Sequence, residues 1–189
     1  TSIPNGWDAR DFAGPAPPRG ARGLLRIVHT GSLHTELGLR QAGTGRLLRL
    51  LRGQAPVDIL SRSHIHLMEA LAVLRAEDPE AQIELHLAGT LTDADRRVAD
   101  APGTRIHGYL DHDASVALVR SADLLFLPMH DLPAGHRARL VPGKTYEYLA
   151  SGRPLLAALP DGDARDLVSR YPDVSVCRPA DVAAMTAAI

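Results

Sequence analysis

Apolar positions along this chain fall into short blocks, with helically spaced patterns between them. Leu24–Thr30 is an apolar run closed by Gly31, Ile83–Ala88 is closed by Gly89, and Asp123–Leu127 is closed by Pro128. Thr104–His107, Leu155–Ala158 and Val174–Cys177 are shorter blocks of the same kind. Each reads as a buried strand. Arg62–Arg75 places Ile65, Leu67, Met68, Leu71, Ala72 and Leu74 at helical spacing, and Asp93–Asp100, Asp113–Arg120, Asp163–Arg170 and Asp181–Ile189 read as further helices. Short apolar strands alternating with helices predict a doubly wound, Rossmann-like α/β fold with a parallel sheet covered on both faces. Ligands of such sheets sit beyond the carboxyl ends of the strands. Gly31, His107–Leu110, Met129–Asp131 and the helix start near Lys144 all follow strand ends and are expected to share one crevice. Residues 1–21 read as a turn-rich leading segment with a Pro/Gly linker from Gly14 to Gly20, and residues 22–189 as one domain. An insertion over about 37–60 carries Leu47, Leu48, Leu50 and Leu51, the pattern of an extra amphipathic helix.

Lys144 is the only lysine among 21 Lys plus Arg residues. It stands in Val141-Pro142-Gly143-Lys144-Thr145-Tyr146-Glu147-Tyr148-Leu149-Ala150-Ser151-Gly152-Arg153-Pro154. Pro142 suits a first helical position, Gly152 an exit, and Pro154 follows that exit. Val141 offers no capping oxygen, and a cation in the first turn opposes the helix dipole. An uncapped helix start beside a cation is suited to a phosphate, although a plain surface lysine is the alternative. Glu147 lies on the same face as Lys144, where a carboxylate can accept hydrogen bonds from a sugar diol. Tyr146, Leu149 and Ala150 form an apolar stripe suited to packing on the sheet.

Other chemistries fit less well. Gly143-Lys144-Thr145 lacks the upstream glycine of a phosphate-binding P-loop, since position 138 is Ala, and Gly31-Ser32-Leu33 lacks the dinucleotide fingerprint. Asp111-His112-Asp113 reads as a helix cap rather than a metal ligand set. His64 and His66 point in different directions on one helix, so no metal is assigned. The net charge of −1 gives no basic surface for nucleic acid. Cys177 stands alone, which fits a reducing compartment. No apolar run approaches a membrane span, and no signal peptide is visible. A start at Thr1 suggests a fragment or a processed chain, expected in the cytoplasm and open to membrane association through parts outside it.

The segment Pro142–Pro154 resembles the donor-site helix of GT-B glycosyltransferases of the "group 1" type. Ile3-Pro4-Asn5-Gly6-Trp7-Asp8 resembles the family's I-P-N-G-x-D stretch, Arg62–Ala70 its K-G-x-D-x-L-x-x-A helix start, and His107-Gly108-Tyr109-Leu110 and Ala122–Pro128 its strand ends. The resemblance implies one lobe of a two-domain enzyme that transfers a hexose from a nucleotide-diphosphate sugar without a metal. It places Glu147 on the donor ribose, Gly31, Arg62 and Lys144 on the diphosphate, and Gly108, Tyr109 and Leu110 beside the base. An N-terminal domain would hold the sugar, lipid or other acceptor, as in cell-surface polysaccharide synthesis. No catalytic residue is assigned to this chain, which is expected to be inactive alone. Arg139 stands where many retaining members carry Glu, and Ser32 where the family usually has Arg. A sugar-nucleotide epimerase of the same fold, or a non-catalytic interaction module, are the alternatives.

Overall fold

The computed structural model describes residues 6–15, 17, 23–43 and 57–189. Among these residues six strands form one sheet: β1 (Leu24–Thr30), β2 (Gln82–Ala88), β3 (Thr104–Gly108), β4 (Leu124–Pro128), β5 (Leu155–Ala158) and β6 (Val174–Cys177). The order is β3-β2-β1-β4-β5-β6 and every pairing is parallel. This is the doubly wound Rossmann order, and its direction reverses between β1 and β4.

Among the described residues, seven helices connect and cover the strands: α1 (Thr35–Gly43), α2 (Ile65–Glu77), α3 (Asp93–Val98), α4 (His112–Arg120), α5 (Lys144–Ala150), α6 (Asp163–Val168) and α7 (Val182–Ala188). Alternation along β4 shows how the sheet is covered. Leu124 and Phe126 join one core cluster with Leu67 and Leu71 of α2 and Met185 of α7. Leu125 and Leu127 join a second cluster with Val119 of α4, Tyr148 of α5 and Val168 of α6. A strand buried on both faces must be apolar throughout, which is why β4 stands out in the sequence. No helix of the described residues is long and apolar enough to cross a membrane.

Three differences from the sequence expectation lie beside the crevice or in the insertion, apart from shifts of one or two residues at other element ends. The helix expected from Arg62 begins at Ile65, because Arg62 closes a turn onto the Ile59 carbonyl and Ser63 Oγ accepts the Ile65 N–H. A helix absent from the expectation, α1, occupies Thr35–Gly43, so the insertion's first residues continue the β1 exit. Leu47, Leu48, Leu50 and Leu51 lie outside the described residues. Helix α5 starts at Lys144 rather than Pro142. The Pro142 and Gly143 carbonyls instead take the Thr145 and Tyr146 N–H groups in tight turns of 3.0 and 3.1 Å.

The leading segment is tied to α4. Arg120 donates to the carbonyls of Gly14 and Pro15 at 3.0 and 2.8 Å, and His112 bonds the Asp11 carboxylate at 2.9 Å. Asp111 caps α4 through the Ala114 N–H at 2.8 Å, as the sequence reading expects.

Candidate functional site

The site begins where β1 outruns its neighbour. β1 pairs with β4 only through Ile27 and Val28. Thr30 therefore has no strand partner on that side for its N–H and C=O, which point the same way. Such buried backbone groups must find other partners. Helix α5 supplies both: Thr30 N–H donates to Tyr148 Oη at 2.8 Å, and Lys144 Nζ donates to the Thr30 carbonyl at 2.5 Å. On its other side the strand end is closed by glycine amides. Gly31 N–H donates to the Ala88 carbonyl and Gly89 N–H to the Gly108 carbonyl, both at 2.7 Å. Gly31 and Gly89 have φ of 110° and 134°, a region that favours glycine.

These strand ends floor a crevice of about 260 Å³, lined by Thr30, Gly31, Ala88, Gly89, Tyr109, Leu110, Ser115, Lys144 and Glu147. Tyr109 stands at its rim, 82 % exposed. The α5 tip is open, since a Cβ at Gly143 would meet nothing within 4 Å. At seven residues α5 is short, and Gly143 adds no side-chain cap. The positive character of this corner is therefore carried chiefly by the Lys144 ammonium. One of its three N–H groups is held by Thr30, which fixes its position.

Electrostatics mark the same corner. Burial, followed by the Arg62 charge, brings the Lys144 ammonium down to about 8, while the Glu147 charge opposes this. Burial and then Lys144 hold the His29 imidazole well below its ordinary value. Burial pushes the Tyr148 hydroxyl up to about 12, so it remains a neutral hydrogen-bonding group.

Of the residues singled out in the sequence, Gly31, Tyr109, Leu110, Lys144 and Glu147 come together around the crevice. Gly108 lies beneath Tyr109 and receives the Gly89 amide. Arg62 does not line the crevice, but its charge reaches Lys144. Arg139 is exposed. Among the described residues no group of three or more His, Cys, Asp or Glu could hold a metal ion.

The packing face of α5 is a correction. Thr145 and Tyr148 are fully buried, whereas Tyr146 and Leu149 are only partly so. Helical spacing selects Tyr146, Leu149 and Ala150, and Leu149 does pack against the second core cluster, but the helix turns its hydroxyl-bearing Tyr148 fully inward, where Thr30 supplies a polar partner. Gly89, read in the sequence only as a strand end, also lines the crevice. Tyr148→Phe is expected to leave the Thr30 amide unpaired and to lower stability by about 1–3 kcal/mol. Urea unfolding checks this, and an unchanged midpoint would sink the role assigned to the hydroxyl.

Comparison with known proteins agrees with this architecture. Residues 60–189 match the family described as Glycosyl transferases group 1. The glycogen synthase of Mycobacterium tuberculosis (strain CDC 1551 / Oshkosh) is 30% identical over 195 residues, covering 100% of this chain and 38% of that protein. This chain thus spans well under half the length of that relative. Among solved structures, the UDP-forming α,α-trehalose-phosphate synthase of Burkholderia xenovorans superposes with a TM-score of 0.54 at 16% identity, covering 88% of this chain and 36% of that one. S. aureus MnaA, solved with UDP, superposes with a TM-score of 0.53 at 12% identity, again covering 88% and 36%. Such likenesses show the fold, here the Rossmann-like fold of one lobe of GT-B proteins. The match over residues 60–189, most of the chain and including the whole Lys144 helix, goes further: the chain belongs to the group 1 glycosyltransferases.

Proposed function

We propose that this chain is the donor-binding half of an enzyme that moves a sugar from a nucleoside diphosphate to an acceptor. In that reaction the bond between the anomeric carbon and the diphosphate oxygen breaks. A bond to an acceptor hydroxyl oxygen forms, and the hydroxyl proton leaves to a base. Negative charge grows on the departing diphosphate, and fixed cations aimed at it lower the barrier without reorganising. Lys144 and Arg62 supply that charge in this reading, so the diphosphate needs no metal. The glycine strand end at Gly31 lets phosphate oxygens approach the backbone. Glu147 accepts from the ribose hydroxyls, and Gly108, Tyr109 and Leu110 flank the base. A second domain outside this chain holds the acceptor and supplies the base, so this chain alone binds nucleotide and turns over nothing.

The observation that carries the reading is the placement of Lys144 and Glu147 on one crevice, with the ammonium pinned at the β1 end. Calorimetry with UDP and GDP tests it. Wild type is expected to bind one of them, and Glu147→Ala to bind about tenfold more weakly, about 1.4 kcal/mol. Absence of heat with either nucleotide, or unchanged affinity in the variant, overturns the assignment.

A further inference from the structure

Beyond Gly31 the chain runs to His34, in the turn before α1, whose Nδ1 lies 2.8 Å from Nε2 of His130, just past β4. Their ring centroids are 4.8 Å apart with planes at 45°. Only one proton can occupy that contact, so one nitrogen donates and the other accepts. Both rings are partly exposed, unlike His29 and His64, which are sealed in the interior. The backbone holds the pair in place: His34 N–H donates to the Arg62 carbonyl at 2.9 Å, and Ser61 Oγ accepts the Asp131 N–H at 2.7 Å.

The pair does not line the crevice itself; it follows the ends of β1 and β4, where the sheet order reverses, and charges of the crevice corner act on it. Arg62 and Lys144 act on His34 against Asp95 at the start of α3. Arg62 and His34 act on His130 against Asp58. Asp131, next to His130, is already paired with Arg178 at 2.6 Å. Among the described residues, Arg62 is thus the one charge that acts on Lys144, His34 and His130 alike.

We propose that His34 and His130 form a third cationic element of the diphosphate site, taking up one proton from solvent when a nucleoside diphosphate binds and donating N–H groups to its phosphate oxygens. This rests on the donor-site reading above. Without a ligand, the pair is kept neutral: burial and then Arg62 depress His34, and burial, His34 and Arg62 bring His130 down to about 4. A bound diphosphate reverses the field by neutralising Arg62 and Lys144 and adding negative charge of its own. Imidazolium then becomes the favoured form. By linkage, a site that binds more protons when liganded gains affinity as pH falls. The leaving group would meet a charge that appears only on its arrival, so the empty site escapes the repulsion of three permanent cations.

Calorimetry of UDP and GDP in buffers of differing ionisation enthalpy, at pH 6.5 and 8.0, reads the proton count directly. The terminal phosphate of the ligand also titrates near pH 6, so the informative quantity is the difference between wild type and variants. Wild type is expected to take up roughly half to one more proton at pH 6.5 than His130→Asn or His34→Gln, and to bind roughly tenfold tighter there, the gap closing by pH 8.0. Imidazole nitrogen spectra of the wild type, which need no variant to fold, should show a single imidazolium, hydrogen-bonded to its neutral partner ring, only in the complex. Equal proton counts and unshifted imidazole signals in a protein that binds UDP or GDP overturn the proton-uptake role alone. Failure of wild type to bind either nucleotide overturns the donor site, and this proposal with it.

Discussion

Lys144→Met is expected to lose most nucleoside diphosphate affinity and to make the empty protein more stable. The two effects share one cause. The ammonium is held at the Thr30 carbonyl, with Arg62 close enough to act on it. Its folded value of about 8 lies below the ordinary 10.5, so the fold disfavours the charged form. The unfolded chain binds more protons between those two values, and stability therefore rises with pH across that window. Below about pH 8 the full penalty is present, at most ~3 kcal/mol. Met removes it while keeping similar bulk, but leaves the Thr30 carbonyl without its donor, a loss of roughly 1–3 kcal/mol. The net gain is about 2 kcal/mol at most, a rise in Tm of up to roughly 4–8 °C at pH 7. The advantage should shrink as pH climbs from 8 towards 10. Affinity for UDP or GDP should fall roughly 30- to 150-fold, ~2–3 kcal/mol for a lost charge-assisted contact. Melting curves and calorimetry on the same two proteins check both halves. A variant that is less stable and binds as well as wild type would mean that the lysine serves only to hold α5 on the sheet.

Much of this layout was legible in the chain. Leu24–Thr30, Leu155–Ala158 and Val174–Cys177 are strands with the bounds expected of them, because each is a short, mostly apolar block set between segments of turn and helix character. The segment around Lys144 broke local rules for an ordinary helix, and a conflict of that kind points to a site. The hidden parts are equally physical. Helix α1 carries Gly38 in its middle and exposes Leu37 and Leu39, so it has little of the apolar face that periodicity detects. Gly38 is there because its backbone lies against Leu60, where a Cβ would collide. The inward turn of Tyr148 is hidden because i, i+3, i+4 spacing groups Tyr146 with Leu149 and Ala150 as the packing stripe. What turns Tyr148 inward is an unpaired amide on a strand more than a hundred residues earlier. The His34–His130 contact joins residues 96 positions apart, and no local pattern links them.

Gly89→Ala should produce the largest loss of stability among single changes at the crevice. Gly89 and Gly31 extend adjacent strands paired through Thr30 and Ala88. A Cβ at Gly89 would stand 2.6 Å from the Gly31 carbonyl oxygen and 2.8 Å from its carbon. Those are backbone atoms and cannot swing aside as a side-chain tip could. The φ of 134° adds strain for any L side chain. Overpacking and backbone strain together should cost ~3–5 kcal/mol. That corresponds to a fall in Tm of roughly 6–20 °C for a domain of this size. Gly143→Ala is the matched control. It sits at the same crevice, has an ordinary helical φ of −55°, and its Cβ would meet nothing within 4 Å. There the methyl group only restricts the unfolded chain, so a gain of about 0.4–1 kcal/mol is expected. The two variants should differ in ligand binding as well. Displacing Gly31 moves the Thr30 carbonyl that positions the ammonium, so any folded Gly89→Ala protein should bind UDP or GDP more weakly than Gly143→Ala does. Thermal melts within about 2 °C of each other would mean that the β1 and β2 ends are not packed backbone to backbone. The glycine floor of the crevice would then lose its structural basis.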